Sequence, residues 1–276
     1  MTDRRKKNLS SIILFLIFLI GLSLLLYPSV SNYWNSFHQT QAIASYAEEV
    51  TALAEDEYEE LWARAQDYNA ELLKKQNRWA FSEEDTREYE QVLNVGGTGI
   101  IGYVEIPSIK VSLPIYHGTD EAVLQIAVGH IQGSSLPVGG ENTHCVVSGH
   151  RGLPSAKLFT DLDEMKEGDL FMIRVLDETL TYEVDQIHIV LPEDLTALEI
   201  EEGKDLCTLV TCTPYGINTH RLLVRGHRVE NVENFGSIHV TADAIQIDPI
   251  IVAPALAVPM LLLLLIWLLV HYRKRR

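Results

Sequence analysis

A chain of 276 residues with 47% hydrophobic content is long enough to bury a full core, yet its formal net charge is −16 at pH 7. That balance excludes nucleic acid as a partner, because such partners are bound through clustered Lys and Arg. Three cysteines, none in a C-x-x-C pair, leave no zinc-type ligand spacing, and neither a metal nor a cofactor is expected.

The first element is the block 9–27, which carries no charged residue. A second uncharged block covers 250–270 and holds Pro254 and Pro259 in its first half. Each meets the length of about 20 apolar residues that a helix needs to cross hydrocarbon, and a membrane span tolerates the prolines. Arg4, Arg5, Lys6 and Lys7 precede the first block, and Arg273, Lys274, Arg275 and Arg276 follow the second. Positive charge at both ends predicts cytoplasmic termini and an extracytoplasmic segment 28–249. A cleaved signal peptide is the alternative for 9–27. Its apolar run exceeds the usual length of about 7–15 residues and no small-x-small site follows, so a retained anchor is expected. Between the two basic tails the chain is strongly acidic, as a solvated surface would be; attraction of lysine-bearing partners is the sharper alternative.

Residues 35–93 read as helical. Ala42, Tyr46, Val50, Leu53, Tyr58, Leu61, Trp62 and Ala65 recur at helical spacing, with acidic residues on the other face. Ser82 to Asp85 form a capping box that opens a short helix through Leu93. The Gly-rich run 94–99 marks a boundary. Beyond it the texture becomes β-like, with strands expected at 100–106, 111–116, 144–149, 170–176, 179–191, 207–212 and 221–229, and short helices at 120–127 and 156–165. Seven or eight strands without βαβ alternation predict a mainly β fold, a closed antiparallel or mixed barrel. The expected organisation is a cytoplasmic tail 1–8, span 9–27, helical segment 28–98, β-domain 99–232, linker 233–249, span 250–270 and basic tail 271–276.

Within the β-domain, Cys212 ends the run Thr208-Leu209-Val210-Thr211 and precedes the turn Thr213-Pro214-Tyr215-Gly216. That placement presents its sulfur at a strand end, although a lone cysteine in such a run is usually a core thiol. Arg221 opens the next strand and can lie beside it as a permanent cation with a fixed donor fork. His150 repeats the strand-end placement after 144–149. A thiolate, a proton carrier and an oxyanion donor are the parts that cysteine acyl transfer requires. Cys145 and Cys207 head the two strands; a disulfide between them and two buried free thiols are both open, with Cys212 left over in either case.

Thr208-Leu209-Val210-Thr211-Cys212 with downstream Arg221 resembles the TLxTC pattern of the sortases. So do Ile106-Pro107-Ser108-Ile109, Leu113 through Thr119, Gly129-His130, Ser134 through His144 and Ser148-Gly149-His150-Arg151-Gly152. The block Thr211 through Val224 looks like class C, the pilus-assembling sortases, as does a second anchor near the C-terminus. The resemblance implies a sortase-like β-barrel of about eight strands acting as a cysteine transpeptidase on the outer surface of a Gram-positive-type membrane. Cys212 would attack the Thr–Gly bond of an LPxTG-like signal, His150 would protonate the leaving amine, and Arg221 would stabilise the oxyanion. A pilin lysine amine would then take the acyl group. Thr211 and Ser148 would assist, or merely bond locally as strand residues. A housekeeping enzyme using a cell-wall precursor amine is the alternative, and a non-catalytic surface assembly scaffold is the rival of a different class. Many class C enzymes carry an Asp-Pro-aromatic lid; here 75–81 lacks Asp-Pro, and either Trp79 or Phe81 serves as the ring, or Trp79 packs the helical segment on the barrel.

Overall fold

The computed structural model describes residues 2–231, with Val258, Pro259, Leu261 and Leu262. The second span 250–270, the linker 233–249 and the basic tail 271–276 lie outside the described residues, four positions of the span apart. Contacts divide the chain into two units, 1–34 with 236–276, and 35–235. In the first, the helix α1 (Thr2–Thr51) begins and passes Pro28 without a break. Its apolar stretch has an 18-residue window of mean hydropathy 1.8 with none of it buried, so by length and composition it could span a membrane.

The second unit opens with the rest of α1, then α2 (Glu55–Leu72) and α3 (Glu83–Gln91). The amphipathic spacing of this segment buries one face. Tyr46, fully buried, donates to Ile101 O at 3.2 Å and accepts from Leu176 N at 2.7 Å. Asn69 fastens α2 twice, through Nδ2 to Leu136 O at 3.1 Å and from Leu136 N to Oδ1 at 2.7 Å. Ser82 caps α3 reciprocally: Asp85 N donates to its Oγ at 3.2 Å and its own N donates to the Asp85 carboxylate at 2.8 Å.

Eight strands follow: β1 (Ile100–Ile106), β2 (Val111–His117), β3 (Val128–His130), β4 (Thr143–Ser148), β5 (Leu170–Val175), β6 (Glu178–Val190), β7 (Asp205–Thr213) and β8 (His220–Val229). They close into a barrel in the order β1-β2-β3-β4-β7-β8-β6-β5. β2–β3 and β4–β7 pair in parallel and all other neighbours antiparallel. Alternate residues therefore face inward, and Val104, Ile106, Ile115, Val147, Phe171, Ile173, Leu209 and Val224 fill the interior.

Two expectations need correction. The segment 156–165 is not a helix; only the single 3-10 turn Leu162–Glu164 forms there. Its apolar spacing instead lets Ala156, Leu158, Phe159 and Leu162 bury as an irregular loop, and Leu158 at φ 40 is incompatible with a helix. The expected helix at 120–127 shrinks to α4 (Glu121–Leu124). β3, three residues long, has too little sequence for alternation to reveal it.

Candidate active site

β7 and β8 form a hairpin in which Cys212 and Arg221 are direct cross-strand partners, and Arg221 in turn faces Val190 on β6. Opposed side chains in such a pair stand about 5 Å apart at Cβ. On the other side of β7 runs β4, in parallel. Its last pair is Ser148↔Val210, so His150 lies level with Cys212, two residues beyond the ladder. The three residues that cysteine acyl transfer would need thus converge on one end of the β4–β7–β8 sheet, all half-buried.

Their supports differ. Thr211 is buried and donates through Oγ1 to Gly149 O at 2.8 Å, holding the peptide just before His150. Ser148 is half-buried and sits at a ladder position between Gly129 and Val210. The Arg221 guanidinium donates to Asn218 O at 3.2 Å and His220 O at 3.1 Å, which tethers it to the turn it follows. Cys145 and Cys207, Cα partners in the β4–β7 ladder, are buried free thiols. Burial pushes the Cys207 thiol well up.

The outward face of this sheet is covered. Val210 and Leu223, each two residues from Cys212 and Arg221, cluster with Val146 and Leu198, and Trp79 packs on them with Ile131 and Val190. Trp79 Nε1 is buried there without a hydrogen-bond partner. Phe81 is instead 48% exposed. Arg78 holds the segment down: it donates to Gly133 O at 2.9 Å and Leu198 O at 2.6 Å, pairs with Glu199 at 3.2 Å, and lies 4.4 Å over the Trp79 ring. A cavity of about 270 Å³ opens beside it, lined by Leu72, Gln76, Asn77, Trp79, Glu199 and Ile200 among others.

His144 ties down the same β6–β7 connection. Its Nδ1 faces Glu199 O at 2.8 Å and its Nε2 faces Thr208 Oγ1 at 2.8 Å, so Nδ1–H donates and Nε2 accepts. Burial lowers its pKa to about 4. Sequence reasoning placed Arg78 in the candidate lid segment and His144 in a family signature block but gave neither a role, because their partners are remote in the chain. Among the described residues, no group of three or more His, Cys, Asp or Glu is arranged to hold a metal ion.

Comparison with known proteins bears on this arrangement. The Sortase domain family matches residues 104–229. Sortase D of Bacillus subtilis (strain 168) is 34% identical over 131 residues, 46% of this chain; the match spans 63% of that relative, less than two thirds of its length. Among solved structures, sortase C1 from Streptococcus agalactiae is 51% identical, with a TM-score of 0.67, 70% of this chain and 100% of that chain covered. Streptococcus pneumoniae Sortase C, whose structure bears on catalysis and pilin substrate specificity, is 49% identical, with a TM-score of 0.63 and coverage of 69% and 97%.

Proposed function

This chain belongs to the sortase family of cysteine transpeptidases, and on that premise we propose that it is a membrane-anchored enzyme that joins pilin subunits outside the cell. The observation that carries the reading is the row formed by Arg221, Cys212 and the level position of His150. The Cys212 sulfur attacks the Thr–Gly carbonyl carbon of an LPxTG-like signal, and an S–C bond forms. Arg221 donates to the developing oxyanion. As the C–N bond breaks, His150 protonates the leaving glycine amine. A pilin lysine amine then attacks the thioester carbon, returns its proton to His150 and releases Cys212. The thioester keeps the acyl group activated, so no nucleotide is needed.

The class C likeness and the pilin specificity of the pneumococcal relative support a pilin acceptor. The apolar, unburied stretch of α1 supports an N-terminal anchor, with the catalytic domain outside and both termini cytoplasmic by the basic tails. Trp79, rather than the exposed Phe81, is the ring of a lid over the outer face of β4, β7 and β8, with Arg78 as its fastening. Incubating the full chain in detergent with an LPxTG-type peptide is expected to give an acyl adduct on Cys212 by mass spectrometry, and none in Cys212→Ala. Absence of the adduct, even with 77–81 deleted, overturns the enzyme reading. Pilin lysines offered against a cell-wall amine then separate the two acceptors.

A further inference from the structure

The ladder between β4 and β7 ends before it reaches the reacting pair. Its last ties are Gly149 N to Val210 O at 3.0 Å and Thr211 Oγ1 to Gly149 O. His150 already lies in the loop after β4, whereas Cys212 is still paired with Arg221 and is followed by Thr213, the last residue of β7, so no β4–β7 backbone pair sets their separation. Proton transfer between them depends on that separation, because donor and acceptor must come within about 3 Å.

Side chains fasten the two loops to each other. Arg151 follows His150, and its side chain is only 10% exposed. It pairs with the Asp163 carboxylate and sets its guanidinium carbon 5.7 Å from the centroid of the Tyr215 ring. Tyr215 is the third residue after Cys212. The same ring lies against Gly152, at φ +75, where an added Cβ would meet it at 2.9 Å. The Tyr215 ring is thus flanked by both residues that follow His150. Yet it is 60% exposed, so core burial does not explain its seat. Arg151 Nε is buried without a partner, a cost of about 1–3 kcal/mol. The guanidinium therefore takes its orientation from Asp163 and the ring, not from satisfying all its own donors.

We propose that Arg151 and Tyr215 are positioning residues, a brace between the loop after His150 and the loop after Cys212 that sets the imidazole–thiol separation. The proposal rests on the reading of Cys212 and His150 as the reacting pair. The brace is a contact between a planar cation and a ring, worth about 1 kcal/mol where partly exposed. Its kinetic consequence is larger, since displacement of a reacting group by about 1 Å can cost up to a hundredfold.

The test uses the full chain in detergent with Arg151→Ala, Tyr215→Ala, the double variant and Tyr215→Phe. Three readings are taken: kcat and KM on an LPxTG-type peptide, the pH profile of Cys212 alkylation by iodoacetamide, and the unfolding midpoint. Each alanine variant is expected to lower kcat about tenfold with KM within about twofold. The double variant is no slower than the slower single one, because both remove one contact. Tyr215→Phe restores kcat, and the alkylation profile moves in the same variants that lose kcat. Multiplicative losses in the double variant, a loss confined to KM, or a loss of kcat that tracks the unfolding midpoint each overturn the brace. If wild type neither cleaves the peptide nor forms an adduct, the transpeptidase reading fails; the brace is still decided, because an alkylation profile identical in all variants rejects it alone.

Discussion

Cys207 and Cys212 share β7 but stand an odd number of residues apart, so the pleat sends them to opposite faces. Cys207 is fully buried beside Cys145 in the barrel, whereas Cys212 is half-buried on the outer face. In the native chain, iodoacetamide is therefore expected to modify Cys212 alone, read by peptide mass spectrometry; comparable labelling of Cys145 or Cys207 would contradict the assigned faces. Arg221 is tethered by carbonyls of its own turn and stands opposite Cys212 in the β7–β8 ladder. Lysine keeps the charge and loses the planar fork. Arg221→Lys is expected to lower kcat about tenfold or more, given that a single oxyanion donor is worth about 10²–10³. Wild-type turnover in that variant would reject the proposed role.

At the scale of elements, Arg78 joins the segment 77–81 to the connection 191–204. Arg78 bonds Leu198 and Glu199, and His144 bonds Glu199 from below. Trp79 contributes apolar contact but leaves its indole N–H unsatisfied, so the fastening resides in Arg78. A hydrogen bond to a charged donor is worth about 1.5–3 kcal/mol, enough to change an open population at least about tenfold. Arg78→Ala, or deletion of 77–81, is accordingly expected to raise the alkylation rate of Cys212 about tenfold. An unchanged rate would count against a lid.

For the molecule as a whole, the buried His144 and the half-buried His117 link stability to pH. Burial holds both His144 and His117 at a pKa of about 4, below the ordinary 6.5. His117 supports this with Nε2 bonded to Val92 O at 2.8 Å and a buried Nδ1 without a partner, the pattern of a neutral ring. Between pH 6.5 and 4 the unfolded chain binds protons that the folded chain refuses, so stability falls as pH falls, by about 1.4 kcal/mol per pH unit for each histidine. Asp205, its carboxyl pKa raised chiefly by burial, works in the opposite direction by taking up a proton first in the folded state. The net expectation is a falling denaturant midpoint from pH 6.5 to 4, with a shallower slope in His144→Gln. Equal slopes would refute the assignment.

The sequence by itself determined what depends on near neighbours. Short β-favouring runs broken by Gly and Pro mark seven of the eight strands, an uncharged run marks the apolar part of α1, and Ser82 with Asp85 marks a helix start. Cys212 and Arg221 were legible as a pair because a short turn between two strands leaves few other registers. Tertiary structure alone decided the rest. That β4 lies in parallel beside β7, levelling His150 with Cys212, follows from barrel closure and not from local pattern. The helix expected at 156–165 became an irregular buried loop, because apolar spacing specifies what is buried without specifying the backbone that buries it. The bonds of Arg78, His144 and Arg151 were not legible, because their partners lie elsewhere in the chain. Periods of 2 and 3.6 record which face of an element turns inward; which elements then meet is set by packing the whole core at once.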